Sequence, residues 1–176
     1  RTPISGIIGI TEMTLDMDLG SQQRQNLEMI KESAGSLLGI INDILDFSKI
    51  EAGKLELVNT DFDLSQTLKA LAARYEIQAG KKGLDLELHI MPDLPKVVNG
   101  DPDRLCQIIT NLVSNALKFT EKGKVEISVQ GSHETPSSTG ISFMVRDTGI
   151  GIPQEKIPEL FQLFSQLDSS TSKKYG

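Results

Sequence analysis

The chain has 176 residues, of which 18 are basic and 24 acidic, and its net charge is −6. This length suits one or two small domains with a real hydrophobic core, and an acidic balance without a basic stripe argues against nucleic acid as the main partner. The single cysteine, Cys106, excludes a disulfide framework and indicates a reducing compartment, so we expect this segment to be cytoplasmic.

No apolar run approaches the roughly 20 residues that cross a membrane, and no signal peptide is recognisable. We therefore expect no membrane contact by this segment. Because the chain begins at Arg1, without a Met, we expect a longer parent protein, and whether that parent is anchored in a membrane stays open.

Residues 1–50 have the pattern of two helices. Pro3 is expected to bend or interrupt the first, and Ser21 is the expected N-cap of the second. In the second helix a stripe of apolar and small residues recurs every three or four positions, namely Leu27, Ile30, Ala34, Leu37, Ile41, Ile44 and Ser48, widened by Leu38 and Leu45. Two helices alone cannot bury this stripe. We therefore predict a homodimer through residues 1–50, in which two hairpins form a four-helix bundle.

The pattern becomes mixed after a short hinge at residues 51–54. It predicts strands over 55–62, 84–90, 125–129 and 141–145, helices over 64–79 and 102–119, a loop over 92–100 and a flexible turn over 132–140. Asp101 and Pro102 are an N-cap and a first-turn proline, and His89 falls on the polar side of its strand. Strands grouped with helices in this way predict an α/β sandwich, with helices on one face of a sheet.

Two motifs of this mixed region carry groups suited to a nucleotide. Asn111, Asn115 and Lys118 share one helical face, with Leu112, Val113, Ala116 and Leu117 expected to face the core. The run Asp147-Thr148-Gly149-Ile150-Gly151 begins where a strand ends. Amides can ligate a hard cation, an ammonium can meet phosphate, and glycines let backbone approach a ligand. Each motif alone is also typical of a solvated face or an ordinary turn, but together they predict a nucleoside triphosphate site.

The two motifs resemble the N box and first glycine box of the histidine kinase, gyrase, Hsp90 and MutL ATPase superfamily. The run Asn111-x-x-x-Asn115-Ala-x-Lys118-Phe119-Thr120 is similar to that of sensor histidine kinases specifically. The resemblance implies an α+β chain. Residues 1–53 would be a helical hairpin that forms a dimeric four-helix bundle, and residues 54–176 a two-layer α/β sandwich that binds ATP and is truncated at its C-terminus.

The resemblance also implies ATP and Mg²⁺ as cofactors and gives each site residue a role. Asn115 would ligate Mg²⁺, Asn111 and Lys118 would contact the phosphates, Phe119 would pack near the base, and Asp147 would accept a hydrogen bond from the adenine amine. The remaining implied nucleotide-binding residues come from the glycine box, from an F box at 160–164 and from a lid at 169–176: Gly149, Gly151, Ile152, Phe164, Lys173 and Lys174.

The run Arg1-Thr2-Pro3-Ile4 resembles the end of the family's H box. The acceptor histidine would then lie three positions before Arg1, so we expect this segment alone to be inactive, because neither His89 nor His133 lies in the hairpin. Thr2 holds the position linked to dephosphorylation of the partner regulator. The implied partner is the receiver domain of a response regulator, whose aspartate would take the phosphoryl group, and residues 41–55 and 161–176 are most similar to hybrid sensor kinases.

Two alternatives stay open. A gyrase-like or Hsp90-like ATPase would carry an acid at position 111 to activate water, and the amide of Asn111 favours transfer of the phosphoryl group over hydrolysis. A nucleotide-binding pseudokinase that only holds a dimer together would lack the upstream histidine.

Overall fold

A helical hairpin forms the N-terminal unit of the chain, which spans Arg1–Glu56. Helix α1 covers Thr2–Leu15 and helix α2 covers Ser21–Glu51 in the computed structural model, which describes residues 2–135 and 138–159. Pro3 does not interrupt α1, because it lies in the first turn, where its missing N–H has no helical partner to lose. The N-cap of α2 is Gly20 and not Ser21, since the N–H of Gly20 donates to Oε1 of Gln23 at 3.0 Å.

The apolar stripe of α2 stays half-exposed within this hairpin. Ile30, Leu37 and Ile44 are 46%, 49% and 48% exposed, and α2 contains no fully buried residue. The stripe flanks an open groove of about 630 Å³ between the helices, which is lined mainly by Ile4, Ile7, Met29, Ile30, Ala34 and Leu37. Beyond α2, Gly53 adopts a positive φ of 63° and ends the helical path.

The second unit, Leu57–Gly176, is built around two sheets. Strands β1 (Thr60–Asp63) and β3 (Val97–Gly100) pair antiparallel, while the larger sheet has the order β2-β4-β5, from Asp85–Ile90, Lys124–Thr135 and Ser138–Asp147. β2 and β4 are parallel, and β4 and β5 are antiparallel. Helices α3 (Leu64–Lys81) and α4 (Pro102–Phe119) contribute to one core with the larger sheet. The α+β fold class is confirmed.

The core forms where the helices meet one face of the larger sheet. Its fully buried members on β4 are Val125, Ile127 and Val129, and they alternate with polar residues on the other face of the sheet. Their partners from the helices and from the residue just before β2 are Leu64, Leu68, Leu71, Ala79, Leu84, Ile109, Val113, Ala116 and Leu117.

Three expectations for this unit are wrong. Residues 55–58 are not a strand, because β1 begins only at Thr60. The expected loop over 92–100 contains β3, whose residues pair with β1 in the register Phe62↔Val98. The expected turn over 132–140 is mostly strand, since β4 continues to Thr135 and β5 begins at Ser138.

Candidate functional site

Helix α4 carries the first half of the site. The side chain of Asp101 caps it by accepting from the N–H of Arg104 at 3.1 Å, and its other carboxylate oxygen accepts from the N–H of Val58 at 3.0 Å. These hydrogen bonds, with the Val58 bond the larger cause, hold the pKa of Asp101 below its usual value. The helix therefore begins at a well-defined residue, which fixes the direction in which every later side chain points.

The polar face of α4 is presented to solvent. Val113 and Leu117 are buried, whereas Asn111, Asn115 and Lys118 are exposed on the opposite side. The expectation that Leu112 faces the core is wrong, because this side chain is 46% exposed. Each step along a helix turns by about 100°, so the residue before Val113 falls on the flank of the helix.

The last turn of α4 meets the glycine turn that follows β5. The N–H of Ile150 donates to the carbonyl oxygen of Phe119 at 3.4 Å. A Cβ on Gly149 would overlap that same carbonyl oxygen and would lie 2.9 Å from the carbonyl carbon of Phe119. Only a residue without a side chain allows this approach. The structure thus brings together the two motifs that the sequence separates.

Asp147 is the last residue of β5 and pairs with Val125 of the central strand. One of its carboxylate oxygens accepts from the N–H of Gly149 at 2.8 Å, which orients the carboxylate within the turn. The position of Asp147, after an alternating strand and before Gly149, predicts a carboxylate at the floor of a pocket, but its side chain is exposed in the part of the chain that the structure describes.

The remaining predicted site residues belong to the second unit, to the hairpin or to the part of the chain outside the described residues. Lys118 Nζ lies 5.7 Å from the centre of the Phe119 ring, a cation–π distance, and Phe119 itself is half-buried. Gly151 has a φ of 67°, and Ile152 is 49% exposed. Thr2 is exposed at the start of α1, in the other unit. Phe164, Lys173 and Lys174 lie outside the described residues.

Three residues to which the sequence analysis gave no role hold this junction in place. The hydroxyl of Thr148 accepts from the N–H of Lys124 at 3.1 Å and lies within 3.2 Å of the carbonyl oxygen of Lys122, so it ties the glycine turn to the start of β4. Gly123, with a φ of 108°, has no room for a side chain beneath Thr148. The ammonium of Lys82 donates to the carbonyl oxygen of Leu117 at 2.8 Å. The only sequence signal for these contacts was the position of Thr148 between Asp147 and Gly149.

One buried hydroxyl adjoins the same helix end. Thr120 is 2% exposed, and its Oγ1 has no hydrogen-bond partner among the described residues. A buried hydroxyl normally forms a hydrogen bond with protein or with water.

Cys106, which also lies on α4, is half-buried beside the core. Burial raises the pKa of its thiol, which argues against a nucleophilic role.

A second cluster of ionisable groups lies on the other face of the larger sheet. His89 is exposed on the polar side of β2, as predicted, and its Nε2 is 3.2 Å from Oε2 of Glu87. The ammonium of Lys124 lies 2.8 Å from the same oxygen and 3.5 Å from Glu126. The hydrogen bond to Lys124 is the main cause that lowers the pKa of Glu87. Ligand atoms of Glu87, His89 and Glu126 lie within 4.8 Å of one another, but an ammonium already compensates the carboxylates, so this cluster is an ion-pair network.

Comparison with known proteins gives two family matches. Residues 1–53 match the family described as "His Kinase A (phospho-acceptor) domain", and residues 100–176 match "Histidine kinase-, DNA gyrase B-, and HSP90-like ATPase". Among the helices of residues 2–135 and 138–159, none combines the length and apolarity that a bilayer crossing requires.

Similar proteins carry the same two regions in a single chain. The chain is 48% identical over its full length to the signal transduction histidine-protein kinase BarA of Escherichia coli (strain K12), of which it covers 19%. It is 44% identical, again over its full length, to hybrid signal transduction histidine kinase L of Dictyostelium discoideum, of which it covers 10%. The crystal structure of full-length ShkA in complex with AMPPNP has 30% sequence identity and a TM-score of 0.74, and the match covers 94% of this chain and 35% of that one. The chain thus spans a fifth or less of these curated relatives.

Proposed function

The chain is a histidine kinase core, with a phospho-acceptor domain followed by an ATPase domain of the histidine kinase type, and on that premise we propose that it binds Mg-ATP for transfer of the γ-phosphoryl group to a histidine of the helical hairpin. The phosphoryl group then passes to an aspartate in the receiver domain of a response regulator. The hybrid kinases among its relatives support this proposal.

One observation carries the nucleotide site. The carbonyl of Phe119, at the end of α4, lies against Gly149 and accepts from the N–H of Ile150, so the end of the polar helix α4 meets the turn that carries the Asp147 carboxylate. A polar helix face next to a fixed carboxylate fits a ligand with a charged end and a base that presents an amine. The ShkA complex with AMPPNP is consistent with such a ligand.

We assign to each group the role that the family resemblance implies, which its chemistry allows. The Asn115 amide oxygen ligates Mg²⁺, while Asn111 and Lys118 contact the phosphates. Phe119 packs near the base, and Asp147 accepts a hydrogen bond from the adenine amine. Gly149, Gly151 and Ile152 let the turn approach the nucleotide, and Phe164, Lys173 and Lys174, which lie outside the described residues, complete the site. These groups position the phosphates and neutralise their charge, which is what phosphoryl transfer requires of a protein.

We assign the phosphoryl-accepting histidine and the dimer contact to the helical hairpin. Its half-exposed stripe is buried by a second copy, so the active form is a homodimer through residues 1–50. Thr2, exposed at the start of α1, supports dephosphorylation of the regulator.

Calorimetric titration of the full-length protein with ATP and GTP, with and without Mg²⁺, tests the nucleotide site. A hydrogen bond to a charged group contributes about 1.5–3 kcal/mol, so Asp147→Ala should weaken ATP binding about 10- to 150-fold. Asn115→Ala should weaken binding mainly when Mg²⁺ is present, because it removes a metal ligand and no base contact. The matched control is Asp93→Ala, which removes another exposed carboxylate from the same unit.

The site assignment fails if Asp147→Ala binds ATP as tightly as the unmutated protein does. It also fails if the unmutated protein prefers GTP, whose base presents an acceptor to the carboxylate. A pseudokinase scaffold is distinguished by the covalent product. It would bind nucleotide without forming the acid-labile, base-stable phosphohistidine that a kinase forms.

A further inference from the structure

Lys82 connects α3 with the C-terminal end of α4. It is the C-cap residue of α3, and its backbone N–H donates to the carbonyl oxygen of Ala79 at 2.9 Å. The next residue, Gly83, has a φ of 68°, which turns the chain into β2. The Lys82 backbone is therefore fixed, and its side chain reaches across to Leu117 of α4, where the ammonium donates to the carbonyl oxygen at 2.8 Å.

The last turn of α4 is held by the buried side chains of Ala116 and Leu117 and by hydrogen bonds to its carbonyl groups. The final four carbonyls of a helix have no partner within the helix and must find one elsewhere. The carbonyl of Ala116 accepts from the N–H of Thr120 at 3.0 Å, and that of Phe119 accepts from the N–H of Ile150 at 3.4 Å. The carbonyl of Leu117 accepts from Lys82, the shortest of these three hydrogen bonds and the one made by a charged donor. A positive charge at this end also complements the helix dipole.

We propose that Lys82 is a positioning residue for nucleotide binding, which holds the last turn of α4 against the Asp147 turn. The last turn of α4 carries Lys118 and Phe119 and directly follows Asn115, so a shift of the helix end displaces a phosphate contact, a base contact and a metal ligand together. The inference rests on the proposed function. Outer-shell groups that orient metal ligands through hydrogen bonds typically change metal affinity or activity by about 10- to 100-fold when they are removed.

The decisive variant is Lys82→Met, which keeps an unbranched apolar side chain and removes the donor. Its matched control is Lys81→Met, which makes the same change at the neighbouring exposed lysine in the last turn of α3. We expect Lys82→Met to weaken Mg-ATP binding on the order of 10-fold in calorimetry well below the unfolding temperature. Lys81→Met should bind as the parent does, and Lys82→Arg should recover part of the affinity because it restores a charged donor.

A measurement on the nucleotide-free protein distinguishes a positioning role of Lys82 from a purely structural role and from direct contact with phosphate. The amide resonance of Ile150 reports its hydrogen bond to Phe119, so Lys82→Met should shift this resonance in the folded, ligand-free protein and Lys81→Met should not. If Lys82→Met only lowers the unfolding temperature, with parental affinity and an unchanged Ile150 resonance, Lys82 is not a positioning residue. An affinity loss without a shift would indicate direct contact with the nucleotide and would also overturn the inference. Failure of the parent to bind ATP would instead refute the proposed function.

Discussion

The close approach between Gly149 and α4 makes Gly149→Ala the most informative single change at the junction. The added Cβ would overlap the carbonyl oxygen of Phe119 and would lie 2.9 Å from its carbonyl carbon and 2.8 Å from Oδ1 of Asp147. Unstrained carbon contacts are about 3.5–4.0 Å, so the turn and the helix end must separate by on the order of 1 Å. The obstacle is backbone, which cannot rotate away as the end of a flexible side chain could.

Overpacking of this kind costs about 1–3 kcal/mol, which corresponds to a drop of roughly 4–12 °C in the unfolding temperature of a unit of this size. The same separation weakens the hydrogen bond from Ile150 to Phe119, so we also expect the affinity for Mg-ATP to fall. Differential scanning calorimetry and nucleotide titration measure the two effects. Gly80→Ala is the control, because a Cβ there meets no atom within 4 Å and a helical alanine is at least as stable as glycine. If Gly149→Ala keeps both the parental unfolding temperature and the parental affinity, the two motifs do not approach as described.

Two further predictions concern the hairpin and the cap of α4. Ile41→Glu places a charge in the stripe of α2 and should convert the dimer to monomers, which light scattering at micromolar concentration detects, and a parent that is strictly monomeric would contradict the assembly. For Asp101, whose folded-state pKa lies below its usual value of 3.8, the stabilisation is present above pH 3.8 and is lost as the pH falls through the folded-state pKa. Asp101→Asn, which keeps an acceptor but does not titrate, should therefore show a shallower loss of stability in that acidic range, and an acid unfolding curve of unchanged steepness would contradict this role.

Long periodic segments were predictable from the sequence, and short paired ones were not. Helix α4 has a capping Asp101, a first-turn Pro102 and a strongly amphipathic pattern, and its predicted bounds are those observed. Strand β3 has only four residues and follows Pro95 closely, so it carries no readable alternation. It exists because β1 forms hydrogen bonds with its backbone, and that pairing joins residues as much as 40 positions apart, as in Thr60↔Gly100.

The site residues also divide into those that the sequence predicts and those that it does not. Asn111, Asn115 and Lys118 were predictable as one face because helical geometry alone places them together. Lys82 contacts Leu117, 35 positions away, and Thr148 contacts Lys124, 24 positions away. A local sequence pattern does not predict such contacts. The wrong placement of Leu112 has a similar origin, because apolar chemistry alone does not tell whether a residue on the flank of a helix is covered by a neighbouring element.

The order of strands has a consequence for how the chain folds. Strands β4 and β5 are neighbours in sequence, and a hairpin of this kind forms in about 1–10 μs. The parallel pairing of β2 with β4, as in Leu86↔Val125, must first close a loop that contains β3 and all of α4. Pairings over such long stretches of chain form slowly. We therefore expect the Asp147 turn to form with the early hairpin and the last turn of α4 to arrive with the late crossover, so that the two halves of the junction meet only in the slowest folding step.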